Sequence, residues 1–239
     1  MNLVIDIGNT NVKIALFRDK ELFLLHTATD VDQTLIQEWI LQHNPEAAII
    51  STVRKADRFT WLATGHFPVL HAGINLKLPI KLLYKTPETL GSDRLAAAIA
   101  AADMFPGQNS LAITAGSCIT TDVVTAENEY IGGTISPGLH MRLRAMNHFT
   151  GELPLIKNIK EETPLLGTTT ESSMMSGVIN GITAEIQGFI AILEKEIGFF
   201  NVIFSGGDGK IFAKKLKSRI FAVDNIVLHG LNLMLNHNV

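Results

Sequence analysis

The first chemistry-bearing stretch is Asp6, Ile7, Gly8, Asn9, Thr10, Asn11, Val12 and Lys13, in which an aspartate stands two residues before a Gly-Asn-Thr turn. Such a turn can direct backbone N–H groups inward as an anion-binding nest, and the Asn and Thr side chains add neutral donors, so phosphate is its natural guest. Asp6 suits Mg2+, held directly or through water, because magnesium takes one or two carboxylates together with phosphate oxygens. Lys13 is placed to neutralise a transferring phosphoryl group. The same residues also have a plain structural reading: Gly-Asn is a common hairpin turn, and Lys13 can be a solvated strand residue.

Gly91, Ser92, Asp93 and Arg94 precede an alanine-rich helical run. Asp93 can be an N-cap and Arg94 an ordinary surface cation. The chemical reading is that Asp93 accepts the proton of an attacking hydroxyl while Arg94 offers a forked donor to a carboxylate or phosphate. Gly116-Ser117-Cys118 repeats the first turn, and two such hairpins facing each other would clamp a polyphosphate. Thr120 and Thr121 add hydroxyls nearby. Asp122 is either a further carboxylate of the site or a residue that caps or solvates its strand. Cys118 has no Cys/His signature around it and reads as a small buried thiol. Ser205-Gly206-Gly207-Asp208 lets a flat ligand such as adenine or ribose approach the backbone, or is a bare turn. Thr168-Thr169-Thr170 precedes a helix, where capping is the default role of a hydroxyl.

These residues must be positioned by strands, turns and helices that the pattern also supplies. Leu3 to Ile7, Val12 to Leu16 and Glu21 to Thr27 read as an antiparallel meander. Asp30 is the expected N-cap of a helix through Ile40, which ends at Asn44-Pro45. Strands are expected at Ala47 to Ser51 and Pro68 to His71, with a helical stretch near Asp57 to Thr64 between them. Tyr84 falls in a loop. The run Leu95 to Ala102 reads as a helix whose small side chains allow close backbone approach. Pro106-Gly107-Gln108-Asn109 ends it and marks the expected boundary between domains 1–108 and 109–239. Setting Gly116 on Gly8 aligns Leu111 with Leu3, Ile113 with Ile5 and Thr114 with Asp6. The second half again runs strand, turn, strand, turn, strand, followed by a long helix over about Glu171 to Ile197 and a strand at Val202 to Ser205. Two βββ-α-β-α-β-α halves are the expected architecture.

Composition narrows the function classes. The 239 residues are 46% hydrophobic and 18% charged, with mean hydropathy +0.23, which is too apolar for disorder. Charged residues are expected to break every window long enough to span a bilayer, which points to a soluble chain with no membrane partner. Twenty Lys and Arg against 23 Asp and Glu give a net charge of -3, so no cationic field is available to hold nucleic acid. One cysteine forms no internal disulfide, and the eight histidines lack the i, i+4 pairing of a helical zinc site. Asp6 interrupts the first apolar run, unlike a secretory signal, so a cytoplasmic location is expected.

Taken together, Asp6 to Lys13, Gly91-Ser92-Asp93-Arg94, Ala115-Gly116-Ser117, Gly132-Gly133-Thr134-Ile135-Ser136-Pro137-Gly138 and Ser205-Gly206-Gly207-Asp208 resemble the type III pantothenate kinases over nearly the whole length. The resemblance implies an α/β, duplicated two-domain acetate and sugar kinase/actin-like ATPase fold with ribonuclease H-like halves. It also implies a homodimer with substrate near the subunit interface. By that likeness, Asp6 to Lys13 bind the phosphates of ATP with Mg2+, and Asp93 activates the primary hydroxyl of pantothenate. Tyr84, Gly91, Ser92, Arg94 and Thr170 hold pantothenate, with Thr169 the neighbouring candidate for the last contact. Ser117 replaces a family threonine that touches ATP, and Gly206-Gly207 lie near adenosine. Thr114 stands where the family usually has an aspartate associated with a monovalent cation, so potassium or ammonium is expected to bind poorly there. ATP-dependent phosphorylation of pantothenate is the leading reading. The alternatives are a catalytically inactive nucleotide-binding regulator, motivated by Thr114, and a phosphohydrolase of the same fold.

Overall fold

The structure is a computed structural model that describes residues 1–54, 67–159, 162–216 and 220–239. The helical stretch expected near Asp57 to Thr64 lies outside the described residues. The chain gathers into two compact units, one of Met1–Gln108, Asp122–Gly132 and Asn225–Val239, the other of Asn109–Thr121 and Gly133–Asp224. Beyond the expected junction at Gln108 and Asn109, two later stretches therefore fold with the first unit.

In the first unit, β1 (Asn2–Ile7), β2 (Val12–Arg18) and β3 (Glu21–Ala28) form the expected antiparallel meander, and β4 (Ala47–Thr52) and β5 (Val69–His71) extend it in parallel. The order is β3-β2-β1-β4-β5. Side chains alternate across this sheet with period two. Leu3, Ile5, Ile7, Ile14 and Ile50 pack with Ile36 of α1 (Gln33–His43) in one core layer. Val4, Phe17 and Ile49 face the other way, in a core shared with α2 (Ser92–Met104) and α6 (Ile226–Asn236). The N-cap of α1 is Asp32 rather than Asp30: the Asp32 carboxylate accepts from the Leu35 N–H, whereas Asp30 accepts from its neighbour Val31.

The alanines of α2 do what their size allows. A Cβ on Gly230 of α6 would run into the Ala96 carbonyl, so the two backbones touch where neither residue carries bulk. This contact explains why the C-terminal helix packs with the first unit.

In the second sheet the order is β11-β10-β7-β8-β9-β6. Its strands are β6 (Lys81–Leu82), β7 (Ser110–Ala115), β8 (Cys118–Val124), β9 (Glu129–Pro137), β10 (Asn201–Ser205) and β11 (Ile220–Ala222). The rung of β6 on β9, Lys81 opposite Glu129, belongs to the first unit. In the second unit β7 pairs in parallel with β10, Thr114 opposite Ser205. The helices of this unit are α3 (Leu139–Phe149), α4 (Thr170–Ile197) and α5 (Gly209–Ala213).

One composition-based expectation fails in α4. This 28-residue helix contains an 18-residue window of mean hydropathy 1.3 with no more than two charged residues, long and apolar enough to cross a membrane. Its buried side chains nonetheless fall at Met174, Met175, Val178, Ile179, Ile182, Ile186 and Ile190, the single stripe of a helix packed on a protein core.

Candidate active site

Asp6 ends β1 beside two neighbours that the sheet dictates. Antiparallel pairing sets it opposite Lys13, and parallel pairing sets it opposite Ser51. The Ser51 hydroxyl donates to Asp6 Oδ1 at 3.0 Å and lies 3.0 Å from the Ser92 hydroxyl, so a chain of polar contacts runs from Asp6 to the start of α2. Burial raises the Asp6 carboxyl to about 6 and the charge of Asp93 adds to this, while Ser51 and Lys13 pull it back. Lys13 Nζ donates to Asn225 Oδ1 at 2.9 Å, from the left-handed residue that opens α6.

The following turn is tight. The Gly8 N–H closes it on the Asn11 carbonyl at 3.0 Å, and a Cβ on Gly8 would sit 3.1 Å from that same oxygen. Asn9, Thr10 and Asn11 are exposed. Arg54, just beyond β4, grips the outer side of the turn through Nε to the Gly8 carbonyl at 2.9 Å and Nη2 to the Asn9 carbonyl at 3.1 Å.

Asp93 lies in the first turn of α2. Its Oδ1 accepts from the Arg94 N–H at 2.8 Å and folds back over Gly91, where a Cβ would collide with it. Glycine at the N-cap thus makes room for the carboxylate. Asp93 is within electrostatic reach of both Asp6 and Asp122, raising each. A half-exposed carboxylate in the first turn of a helix, within electrostatic reach of a second carboxylate, can take a proton from an alcohol held there.

Arg94 is not the solvated cation that one sequence reading allowed. Only 6% exposed, it sends Nε and Nη2 to Asp122 Oδ1 at 2.9 and 2.8 Å. Asp122, fully buried on β8, also accepts from Tyr130 Oη at 2.8 Å. The alternative that Asp122 caps or solvates its strand is therefore set aside. Tyr84 borders this group, its ring 5.9 Å from that of Tyr130 and 6.0 Å from the Arg94 guanidinium carbon. Gly132 of β9, at φ 124°, takes a backbone conformation that favours glycine, and a Cβ there would make ordinary contact with the Tyr84 ring at 3.9 Å.

The first unit thus gathers Asp6, Tyr84, Ser92, Asp93 and Arg94 with Ser51, Asp122 and Tyr130. Sequence reasoning missed Ser51, Arg54, Asn225 and Tyr130. Asp122, standing between buried strand residues, carried the one signal that local pattern could have used.

The second unit holds the remaining candidates. The Gly116 N–H closes its turn on the Cys118 carbonyl at 2.9 Å. Gly138 lies against this turn so closely that a Cβ would collide with the Gly116 carbonyl. Gly206, at φ 99°, presses on the Ala115 carbonyl in the same way, and Gly207 has open space around its Cα. Thr169, not Thr170, caps α4: its hydroxyl accepts from the Ser172 N–H and the Ser172 hydroxyl accepts from the Thr169 N–H. Thr170 is exposed in the first turn. Thr114 Oγ1 is buried and has no hydrogen-bond partner among the described residues.

Among the described residues no group of three or more His, Cys, Asp or Glu could hold a metal. A single carboxylate such as Asp6 fits Mg2+ that arrives with phosphate oxygens and water, not an ion held by protein alone.

Comparison with known proteins identifies the family. A family model described as type III pantothenate kinase matches residues 2–192. A type III pantothenate kinase of Cytophaga hutchinsonii is 41% identical over 242 residues, covering all of both chains. Among solved structures, a Campylobacter jejuni protein designated a Baf family transcriptional activator superposes with TM-score 0.63 at 20% identity, over 97% of this chain and 96% of its own. A Listeria monocytogenes protein designated an N-acetylmannosamine kinase superposes with TM-score 0.57 at 14% identity, over 98% and 97%. At such identities the structures speak for the fold alone, and that fold is the two-domain sugar kinase and actin-like ATPase architecture.

Proposed function

The chain belongs to the type III pantothenate kinase family, and from that premise we propose how its residues divide the work of phosphorylating pantothenate. The reaction is transfer of the ATP γ-phosphoryl group to the primary hydroxyl of pantothenate, giving 4'-phosphopantothenate on the way to coenzyme A. Phosphoryl transfer asks a protein chiefly for alignment and charge compensation.

Asp93 takes the proton of the attacking hydroxyl. The observation that carries this assignment is its carboxylate at the first turn of α2, in electrostatic reach of Asp6 and next in chain to Ser92, whose hydroxyl meets that of Ser51 beside Asp6. Asp6, Ile7, Gly8, Asn9, Thr10, Asn11, Val12 and Lys13 form the phosphate loop, with Asp6 the residue for Mg2+. When bound, that ion compensates the phosphate charge. Lys13, steadied by Asn225, offsets the transferring group. Tyr84, Gly91, Ser92, Arg94 and Thr170 hold pantothenate; commitment of the Thr169 hydroxyl to capping supports Thr170 as the contact. Ser117, Gly206 and Gly207 are the further residues assigned to ATP. Residues 1–108 and 109–239 are the two duplicated domains.

The working form is a cytoplasmic homodimer. Phe149, Leu165 and Leu166 of the second unit, each 78% exposed or more, support an apolar surface that a second copy would cover. Light scattering after size exclusion should give twice the chain mass; a monomer would remove this part of the reading. Thr114 offers potassium a neutral hydroxyl, so exchanging K+ for Na+ should change turnover less than about threefold, far short of the effect of removing a catalytic group. Purified protein with Mg-ATP and pantothenate should release ADP and form 4'-phosphopantothenate in equal amounts. ADP release without pantothenate, unchanged on its addition, would contradict the assignment.

A further inference from the structure

Asp122 is used in an unusual way for a buried carboxylate. Three donors, Arg94 Nε, Arg94 Nη2 and Tyr130 Oη, converge on Oδ1 within 2.9 Å. Oδ2 is buried and has no hydrogen-bond partner among the described residues. A carboxylate that served only to neutralise an arginine would do so best with both oxygens on the guanidinium fork. Here the fork's Nε edge meets a single oxygen, and the carboxylate is turned by the phenol of Tyr130. Tyr84 lies beside both Arg94 and Tyr130, its ring tilted against that of Tyr130. The backbone of Arg94 is bonded to the carboxylate of Asp93, so the orientation of Arg94 and that of the proposed base are set within one residue of each other. An unsatisfied buried polar oxygen is costly, so the one-sided arrangement at Oδ1 has to be held by the groups bonded to it.

We propose that Asp122 is a positioning residue for the reaction: it fixes the Arg94 guanidinium in the orientation that receives the carboxylate end of pantothenate, and Tyr130 fixes Asp122. The inference rests on the assignment of Arg94 as a pantothenate contact. Asp122 is fully buried and bonded to Arg94, so its effect on pantothenate is assigned to Arg94.

The test is a double-mutant cycle read in steady-state kinetics, with Asp122→Asn, Arg94→Met and the pair. Asp122→Asn should raise KM for pantothenate about tenfold while KM for ATP stays within about twofold, since the lost interaction belongs to one substrate. Arg94→Met should raise KM for pantothenate at least as much. In the Arg94→Met background, Asp122→Asn should change KM for pantothenate less than about twofold, because residues acting as one unit are not additive. Tyr130→Phe leaves the ion pair in place and supplies the same readout if Asp122→Asn does not fold: a rise of about threefold alone and none beside Arg94→Met. Equal rises in both KM values, or an undiminished Asp122 or Tyr130 effect without Arg94, would overturn the inference. If Arg94→Met leaves KM for pantothenate unchanged, the Arg94 assignment itself fails and takes the inference with it. If Arg94→Met raises it and neither Asp122→Asn nor Tyr130→Phe does, the inference alone fails.

Discussion

Asp6 and Asp122 are both raised by burial to about 6 and both lie within electrostatic reach of Asp93, yet their surroundings are opposite. Asp122 is fully enclosed and tied to a cation and a phenol. Asp6 is half-buried at a strand end, and among the described residues its one side-chain hydrogen bond comes from the neutral Ser51. The same upward shift therefore means two things. At Asp122 the desolvation of a carboxylate is set against a guanidinium already in contact. At Asp6 it is set against a serine and the more distant Lys13, which leaves a carboxylate short of positive charge where phosphate and its metal are proposed to bind.

The two carboxylates should respond oppositely to replacement by the amide, because only Asp122 has a bonded cation to leave behind. Asp122→Asn strands a buried guanidinium and should lower stability by about 3–5 kcal/mol, read as a fall in melting temperature. A variant that melts with wild type would erase the distinction. Asp6→Asn should raise stability at pH 7 by about 1–2 kcal/mol, once solvent screening at a half-buried group is discounted, while abolishing most turnover.

The pH dependence follows from the same shift. A carboxyl whose folded pKa, about 6, exceeds its unfolded value, 3.8, binds more protons in the native state between those values. Its contribution is present below about pH 4 and is lost as pH rises through about 6. Wild type should therefore lose part of its stability across that window without Mg-ATP, and Asp6→Asn should lose less. An identical slope in the two proteins would show that Asp6 is not the group responsible. The smallest effect is that of Tyr130→Phe, about 1 kcal/mol for one hydrogen bond to a charged partner that keeps its arginine. A loss as large as that of Asp122→Asn would mean that the phenol, not the ion pair, holds the group together.

Local pattern made the scaffold readable and left its cross-links dark. The alternation of Val12, Ile14 and Leu16 and the glycine turn before them specify β1 to β3, and the alanines before Pro106 specify α2. The start of α1 was harder because Asp30 and Asp32 are equally good caps by type, and only the bond to Leu35 distinguishes them. The β6 strand is two residues long, too short to show a period. Nothing local tells that α6 returns to the first unit, since that depends on Gly230 meeting Ala96 across 133 intervening positions of chain. The site divides along the same line. Gly91 to Arg94 and the first glycine turn could be named from residue types. Ser51 reaches Asp6 only through strand pairing, Asn225 reaches Lys13 from the far end of the sequence, and Asp122 meets Arg94 only once both are buried.

The most direct test of the whole account is Asp93→Asn, which keeps the size and one acceptor of the side chain and removes its basicity. Turnover with saturating Mg-ATP and pantothenate should fall by about a hundredfold or more, with melting temperature close to wild type, because a positioned general base contributes at least that much. Folded Asp93→Asn protein that phosphorylates pantothenate at the wild-type rate would contradict the central claim that this carboxylate takes the proton.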